Sequence, residues 1–320
     1  MATFGYTLMG EQTGPTQLVD DAVRAEQAGF DFAVSSDHYY PWLAEQGHSP
    51  YAWSVLGAVA YATSRIGLMS FVTCPIRRYH PAVVAQKAAT VALMSDGRFT
   101  LGLGAGENLN EHVVGAWPHV TQRHQMLVEA LDIIRPLLDG ETVHHSGDHF
   151  EVPAAKLWDR PDDGVPIALA VSGPSSCELA GEHADAVIAT EPKPELFELF
   201  DRAGGAGKPR YGQVPVCYGP DEAQCRKVAH EQFRWSGLGW PVNAELPDHT
   251  SFAGASASVT EDDVAKAITC GPDLDSHVQA VRTYLDAGFT HVALVQVGAE
   301  GQRAFLDFAD RVLLPALRRL

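Results

Sequence analysis

Apolar residues fall along this chain in two alternating periods. From Val19 to Ala28 they recur at helical spacing up to Gly29, and after Phe30-Asp31 comes a continuous apolar run, Phe32-Ala33-Val34-Ser35-Ser36. The order returns near the C-terminus, where Val278 to Ala287 is closed by Gly288 and leads into His291-Val292-Ala293-Leu294-Val295-Gln296-Val297. Between them, Ala82 to Met94 gives way through Asp96-Gly97-Arg98 to Phe99-Thr100-Leu101-Gly102-Leu103-Gly104, and Ser175 to Glu182 leads to Ala184-Asp185-Ala186-Val187-Ile188-Ala189. Each unit reads as a helix, a Gly or Asp turn, and a strand too apolar to present one face to water. Strands of that kind have both faces covered, as parallel strands do.

Extending this grammar predicts strands at 4–9, 32–37, 66–72, 99–106, 165–172, 184–190, 211–219 and 291–297. Eight strands alternating with helices over 320 residues is the pattern of an α/β (β/α)8 TIM barrel, expected as a single domain spanning 1–320. A doubly wound sheet is the rival, but it places a glycine-rich phosphate turn early in the chain. Gly102-x-Gly104-x-Gly106 resembles that turn loosely, and glycines beside a barrel strand serve close packing or close ligand approach. Two stretches break the alternation, 142–163 and a Trp, Pro, Gly and Ser-rich segment at 235–258, and both read as loops shaping a site.

Composition narrows the partners. With 40 acidic against 23 Lys and Arg residues the net charge is -17, which repels phosphodiester backbones and anionic lipid, so neither nucleic acid nor membrane is an expected partner. No apolar run approaches the roughly 18 residues of a membrane-spanning helix, and Met1-Ala2-Thr3-Phe4-Gly5-Tyr6 carries no basic leader, so a cytoplasmic location is expected. Cys74, Cys177, Cys217, Cys225 and Cys270 are odd in number, scattered and without a C-x-x-C pair, which argues against a disulfide framework or a zinc site. Cys217 and Cys225 are expected to pack as small apolar groups.

In such a barrel the chemistry sits at the C-terminal strand ends. Glu11 follows strand 1, and Asp37-His38-Tyr39-Tyr40-Pro41-Trp42 follows strand 2, bringing a carboxylate, an imidazole and an indole onto one loop. Ser70 to Thr73 follow strand 3, Glu107 and Asn110 strand 4, Ser172-Gly173-Pro174 strand 5, and Thr190 and Lys193 strand 6. Taken singly, His38 could be a packed histidine, Glu107 a helix cap, Asp37 a turn residue and Trp42 a lid against the core. Their coincidence at successive strand ends points to a catalytic site.

The pattern Ser36-Asp37-His38-x-x-Pro41-Trp42, with His80-Pro81-Ala82-Val83-Val84-Ala85-Gln86 and Gly104-x-Gly106-Glu107-x-Leu109-Asn110-Glu111, resembles the luciferase-like oxidoreductases that use the deazaflavin coenzyme F420. It is most similar to the branch containing the F420-dependent glucose-6-phosphate dehydrogenases. The resemblance runs on through Gly115-Ala116-Trp117-Pro118, Ser172-Gly173-Pro174 and Leu314-Pro315-Ala316-Leu317-Arg318-Arg319-Leu320.

The resemblance implies roles by position. His38 matches the base that takes the substrate hydroxyl proton while the carbinol carbon releases hydride to the deazaflavin C5, a task suited to an imidazole. Trp42 matches the indole beside the reacting centre, Glu107 the acid serving the cofactor's N1 side, and Glu11 a carboxylate that orients the histidine. Asp37, Thr73, Ala105, Gly106, Asn110, Ser172, Gly173, Ser175 and Ser176 fall on cofactor-contacting positions, Ser172-Gly173 offering backbone N–H donors to a phosphate. Ser70-Phe71 matches a non-prolyl cis peptide that buttresses the ring.

The departures bear on substrate. The sugar-phosphate dehydrogenases hold their phosphate with three cations, and here Lys193 alone finds a match; Ser236 to Asp263 contains no Lys or Arg, and Ala267 stands where the third cation would be. Thr190 and Lys193 are therefore expected to face an uncharged secondary alcohol or sugar. A monooxygenase of the same superfamily, using reduced FMN and oxygen, is the alternative, as is a glucose-6-phosphate dehydrogenase proper, and related barrels suggest a homodimer.

Overall fold

A computed structural model describes residues 2–320. Eight strands, β1 (Thr3–Leu8), β2 (Phe32–Ser35), β3 (Gly67–Ser70), β4 (Phe99–Leu103), β5 (Ile167–Ala170), β6 (Ala186–Ile188), β7 (Arg210–Cys217) and β8 (His291–Gln296), pair in sequence order. Every pairing is parallel, and β8 returns to β1 through Thr3 opposite His291, closing the (β/α)8 barrel.

Strand alternation sorts the side chains. Phe4, Tyr6, Leu8, Ala33 and Leu68 point outward into the main apolar cluster beneath the helices. Phe32, Val34, Met69, Ala168, Ile188 and Ala293 fill the barrel interior. Space inside is short at Gly5, where a Cβ would lie 2.4 Å from the Phe32 ring, and at Gly102, where it would lie 1.9 Å from the Ser70 carbonyl oxygen.

The helix-to-strand turns follow the predicted grammar. Helix α1 (Pro15–Ala28) ends on Gly29 at φ 91°, whose N–H donates to the Ala25 and Glu26 carbonyls, a left-handed cap that costs glycine no Cβ clash. Helices α2 (Ala52–Ala62) and α3 (Pro81–Met94) pack side by side. Cys217 and Cys225 are buried in an apolar cluster with Met9, Phe233 and Val297, as expected of them.

Several predicted strands run too far at their C-terminal ends. Residues 71–72, 104–106 and 189–190 leave the sheet, because the chain there turns out of the barrel mouth to form the loops described below. The first insertion is an antiparallel hairpin, Val143–Ser146 with Glu151–Ala155. The second holds two short helices, Trp240–Asn243 and His249–Ala255, folded across the mouth. No helix among the described residues is long and apolar enough to cross a membrane.

Candidate active site

The loop after β2 is anchored from beneath by Asp37, which is 2% exposed. Its Oδ2 accepts from Trp53 Nε1 at 3.0 Å and Thr73 Oγ1 at 2.7 Å, and its Oδ1 from Tyr79 Oη and Arg78 Nη2, both at 3.1 Å. Arg78 also donates its backbone N–H to Glu111 Oε2 at 2.8 Å. Both Asp37 oxygens are thus occupied inside the protein, and the carboxylate serves to fix the loop. Ser70 likewise faces inward, its Oγ donating to the Gly102 carbonyl and accepting from the Gly102 N–H.

The next residue turns the opposite way. His38 Nδ1 lies 2.9 Å from Glu11 Oε1, and Nε2 lies 3.1 Å from Glu107 Oε1. Nδ1 is enclosed yet makes no well-aligned N–H donation, so its contact with Glu11 is chiefly one of charge. Glu11, at the end of β1, is buried and accepts from Ser36 Oγ at 2.9 Å. Asn110 fixes the far side, its Nδ2 donating to Glu107 Oε1 at 3.1 Å while its Oδ1 accepts from the Tyr39 N–H at 2.7 Å. One amide therefore ties the β2 loop to the β4 loop.

Charge follows from this geometry. Burial by itself favours a neutral imidazole, but the Glu11 charge and then the contact with Glu107 outweigh it and raise His38 to about 10. Burial would raise Glu11 in turn, and the His38 charge outweighs it, holding this carboxyl below the ordinary carboxylate range. At neutral pH the centre is an imidazolium between two carboxyl groups. Glu111 is pushed up to about 7, chiefly by burial, with Glu107 and Asp37 adding to it against the pull of Arg78.

Trp42 is 6% exposed and lies edge-on to His38, ring centroids 5.0 Å apart. Its other face stacks on Trp235 at 4.1 Å and 8°, and Phe252 meets it edge-on at 5.0 Å. Trp235 and Phe252 both come from the second insertion, so that segment forms the wall beside the histidine.

The remaining candidates ring the same mouth. The cis peptide is Phe71–Val72, one bond beyond the Ser70-Phe71 bond expected from the sequence; Ser70 is held in β3 by its bonds to Gly102, and the chain turns after it. Ala105 and Gly106 follow β4, and Gly106 adopts φ 77° with Cys74 and Trp117 packed so closely that a Cβ would lie 2.4 Å from Cys74 Sγ. Ser172 and Gly173 precede helix Pro174–His183, and their N–H groups donate to Ser176 Oγ at 3.1 and 3.2 Å. A Cβ at Gly173 would meet nothing within 4 Å, so open space lies over this helix N-terminus, beside exposed Ser175. Thr190 and Lys193 are exposed after β6, and Lys193 Nζ is paired with Glu191 Oε2 at 2.7 Å.

Residues 2–291 match the luciferase-like monooxygenase family model. The chain belongs to the luciferase-like family. Within it, the chain is 36% identical over 99% of its length, and 97% of the relative's, to an F420-dependent glucose-6-phosphate dehydrogenase of Microbacterium testaceum. It is 37% identical, with the same coverage, to one of Nakamurella multipartita. A solved F420-dependent secondary alcohol dehydrogenase, in complex with an F420-acetone adduct, superposes with a TM-score of 0.90 at 29% identity, covering 99% of each chain.

Reasoning from the sequence missed what stands behind and above the histidine. Trp53, Arg78 and Tyr79 hold Asp37, and the one available hint was Arg78-Tyr79 directly preceding His80-Pro81. Trp235 was signalled only by the aromatic character of its insertion.

Proposed function

We propose that the protein is a cytoplasmic F420-dependent oxidoreductase that moves a hydride between the carbinol carbon of an uncharged secondary alcohol or unphosphorylated sugar and the deazaflavin C5. The observation that carries this reading is His38 held between Glu11 and Glu107 at the ends of three barrel strands. The named activities of the relatives support the cofactor.

The residues present fit such a group. Open space over the N-terminus of helix Pro174–His183 suits an anionic phosphate. Ser172, Gly173, Ser175 and Ser176 would surround that phosphate, with the Ser172 and Gly173 N–H groups here donating to Ser176 Oγ, and Phe71, Ala105, Gly106 and Asn110 would line the ring. When bound, the deazaflavin supplies the two-electron hydride acceptor or donor.

The chain's own groups manage the proton. In its resting imidazolium form His38 carries the proton that a carbonyl oxygen needs during reduction. In the oxidative direction His38 first gives that proton up and then accepts the substrate hydroxyl proton at a ring nitrogen. Glu11 stabilises the charged ring in both directions, and Glu107 offers its carboxyl on the cofactor side. Trp42, backed by Trp235, excludes water from the reacting carbon. Asp37 and Thr73 support the loop from within the core.

For the substrate, Lys193 is exposed and paired with Glu191, Ala267 is apolar and exposed, and Lys266 pairs with Asp263 at 2.8 Å. These pairings favour an uncharged substrate over glucose 6-phosphate, the substrate named for the relatives. A homodimer is part of the same proposal, with α2 and α3 as its face. Their exposed residues, Ser54, Ala58, Tyr61, Val83, Leu93 and Met94 among them, carry no charge, and the sole charged residue of the two helices, Lys87, turns its ammonium inward to 3.2 Å from the Tyr79 ring.

The test is to mix the protein with oxidised F420 and a panel of alcohols, sugars and sugar phosphates and to follow bleaching of the cofactor's visible absorbance. Bleaching with neutral alcohols supports the reading. Oxygen consumption with reduced FMN and no bleaching would replace it with the monooxygenase.

A further inference from the structure

Glu245 belongs to the second insertion and touches none of the groups assigned above. Its side chain is 54% exposed, yet Oε1 accepts from Arg123 Nη2 at 2.8 Å and Oε2 from Trp117 Nε1 at 3.0 Å. The backbone is tied at the same point. Asn108, next to Glu107, donates its N–H to the Ala244 carbonyl at 3.0 Å and its Nδ2 to the Glu245 carbonyl at 2.9 Å. Four hydrogen bonds from the segment after β4 and the helix behind it thus converge on Ala244-Glu245.

The barrel side of this joint is well supported. The Arg123 guanidinium is nearly buried and lies 4.2 Å from the centre of the Trp117 ring. That ring in turn reaches Gly106, where a Cβ would stand 3.3 Å from it. Among the described residues Glu245 is the one ion-pair partner of Arg123, so loss of its carboxylate would leave a buried cation unpaired.

The rest of the seam is poorly satisfied. Asn108 Oδ1, Arg123 Nε and Nη1, Trp235 Nε1, Asn243 Oδ1 and His249 Nδ1 are all buried without a hydrogen-bond partner. Buried polar atoms without a protein partner leave this seam less well satisfied than the core. What favours closure is the apolar contact of Trp235 and Phe252 with Trp42 and the four bonds at Ala244-Glu245.

We infer that Glu245 is a positioning residue, a latch that seats the second insertion on the β4 side of the barrel mouth and so fixes the Trp235–Trp42 stack beside His38. Its effect on turnover rests on the proposed function, because it acts through the wall that the substrate would meet. Its effect on the insertion does not.

Two measurements on the full-length protein test it. In Glu245→Ala, amide hydrogen exchange across 235–255 should speed by about tenfold or more while β1 to β8 keep their protection. With the alcohol that bleaches F420, KM should rise about tenfold and kcat change less than about threefold, because the wall contributes uniform binding. Glu245→Gln keeps one acceptor oxygen for Arg123 or Trp117 but loses the charge and turns an N–H toward the other donor, so it should fall between the parent and the alanine variant. Unchanged exchange in 235–255, faster exchange throughout the barrel, a fall in kcat with KM unmoved, or no recovery in the glutamine variant would each overturn the latch. Exchange requires neither cofactor nor substrate, so a wild-type protein inactive with every alcohol refutes the proposed function and leaves the exchange result to decide the latch.

Discussion

His38 Nε2 stands 3.1 Å from Glu107 Oε1, a contact that joins the C-terminal ends of β2 and β4 across the barrel mouth. Asn110 bonds both to Glu107 and to the backbone beyond His38, so the two loops are tied to each other. Under the proposed function, this arrangement preorganises an acid and a base for the proton transfer that accompanies hydride transfer.

Replacing His38 separates its proposed role as base from cofactor binding. His38→Ala should lower turnover by about 100-fold or more, the scale of a positioned general base, while F420 affinity by fluorescence titration stays close to that of the parent. Turnover near the parent rate would remove His38 from the chemistry.

The raised pKa sets the pH dependence. Because the folded value of about 10 lies above the ordinary one of about 6.5, the stabilisation from the charged ring is complete below about pH 6.5 and is lost as pH rises through about 10. Alcohol oxidation, which needs the neutral ring, should therefore accelerate with rising pH, and carbonyl reduction should slow. Glu11→Gln removes the main raising influence and should shift both profiles toward lower pH, with the His38 imidazole resonance titrating alongside them.

Asp37 is expected to matter through stability. Asp37→Asn removes one of the two carboxylates paired with Arg78, Glu111 remaining, and faces an amide N–H toward donors, so it should cost about 1 to 3 kcal/mol in urea unfolding, the scale for a buried polar group left unsatisfied. Unfolding at the parent's urea midpoint would contradict the network described for it.

Substrate charge is testable by restoring cations. The parent should oxidise neutral alcohols with a higher kcat/KM than glucose 6-phosphate. Ala267→Arg combined with Glu191→Gln, which frees Lys193, should raise kcat/KM for the phosphorylated sugar by about tenfold or more, since each charge-assisted hydrogen bond contributes about 1.5 to 3 kcal/mol. A parent enzyme that strongly prefers glucose 6-phosphate would reverse the assignment.

The charge-free face of α2 and α3 predicts a dimer by light scattering. Leu93→Glu with Tyr61→Glu should shift it to monomer, because a paired copy would bury four added carboxylates. A monomeric parent would rule the face out.

The eight strands, their order and the loops carrying Glu11, His38 and Glu107 were legible in the sequence, because hydrophobic period and turn residues are local signals and a parallel strand buried on both faces has few other forms. Glycine caps such as Gly29 were legible for the same reason. Barrel closure decided the rest, since it alone sets which atoms from separate strands meet. It turned Asp37 inward onto Trp53, Thr73, Arg78 and Tyr79 while presenting His38 to the mouth, and it enclosed that imidazole between two carboxyl groups so that it rests protonated. It put the cis bond at Phe71–Val72, and it laid Trp235 on Trp42 and Glu245 on Arg123 from an insertion whose own pattern named no partner. Charge state, burial and contacts across the mouth depend on distances between chain segments, and hydrophobic periodicity along one segment carries no record of them.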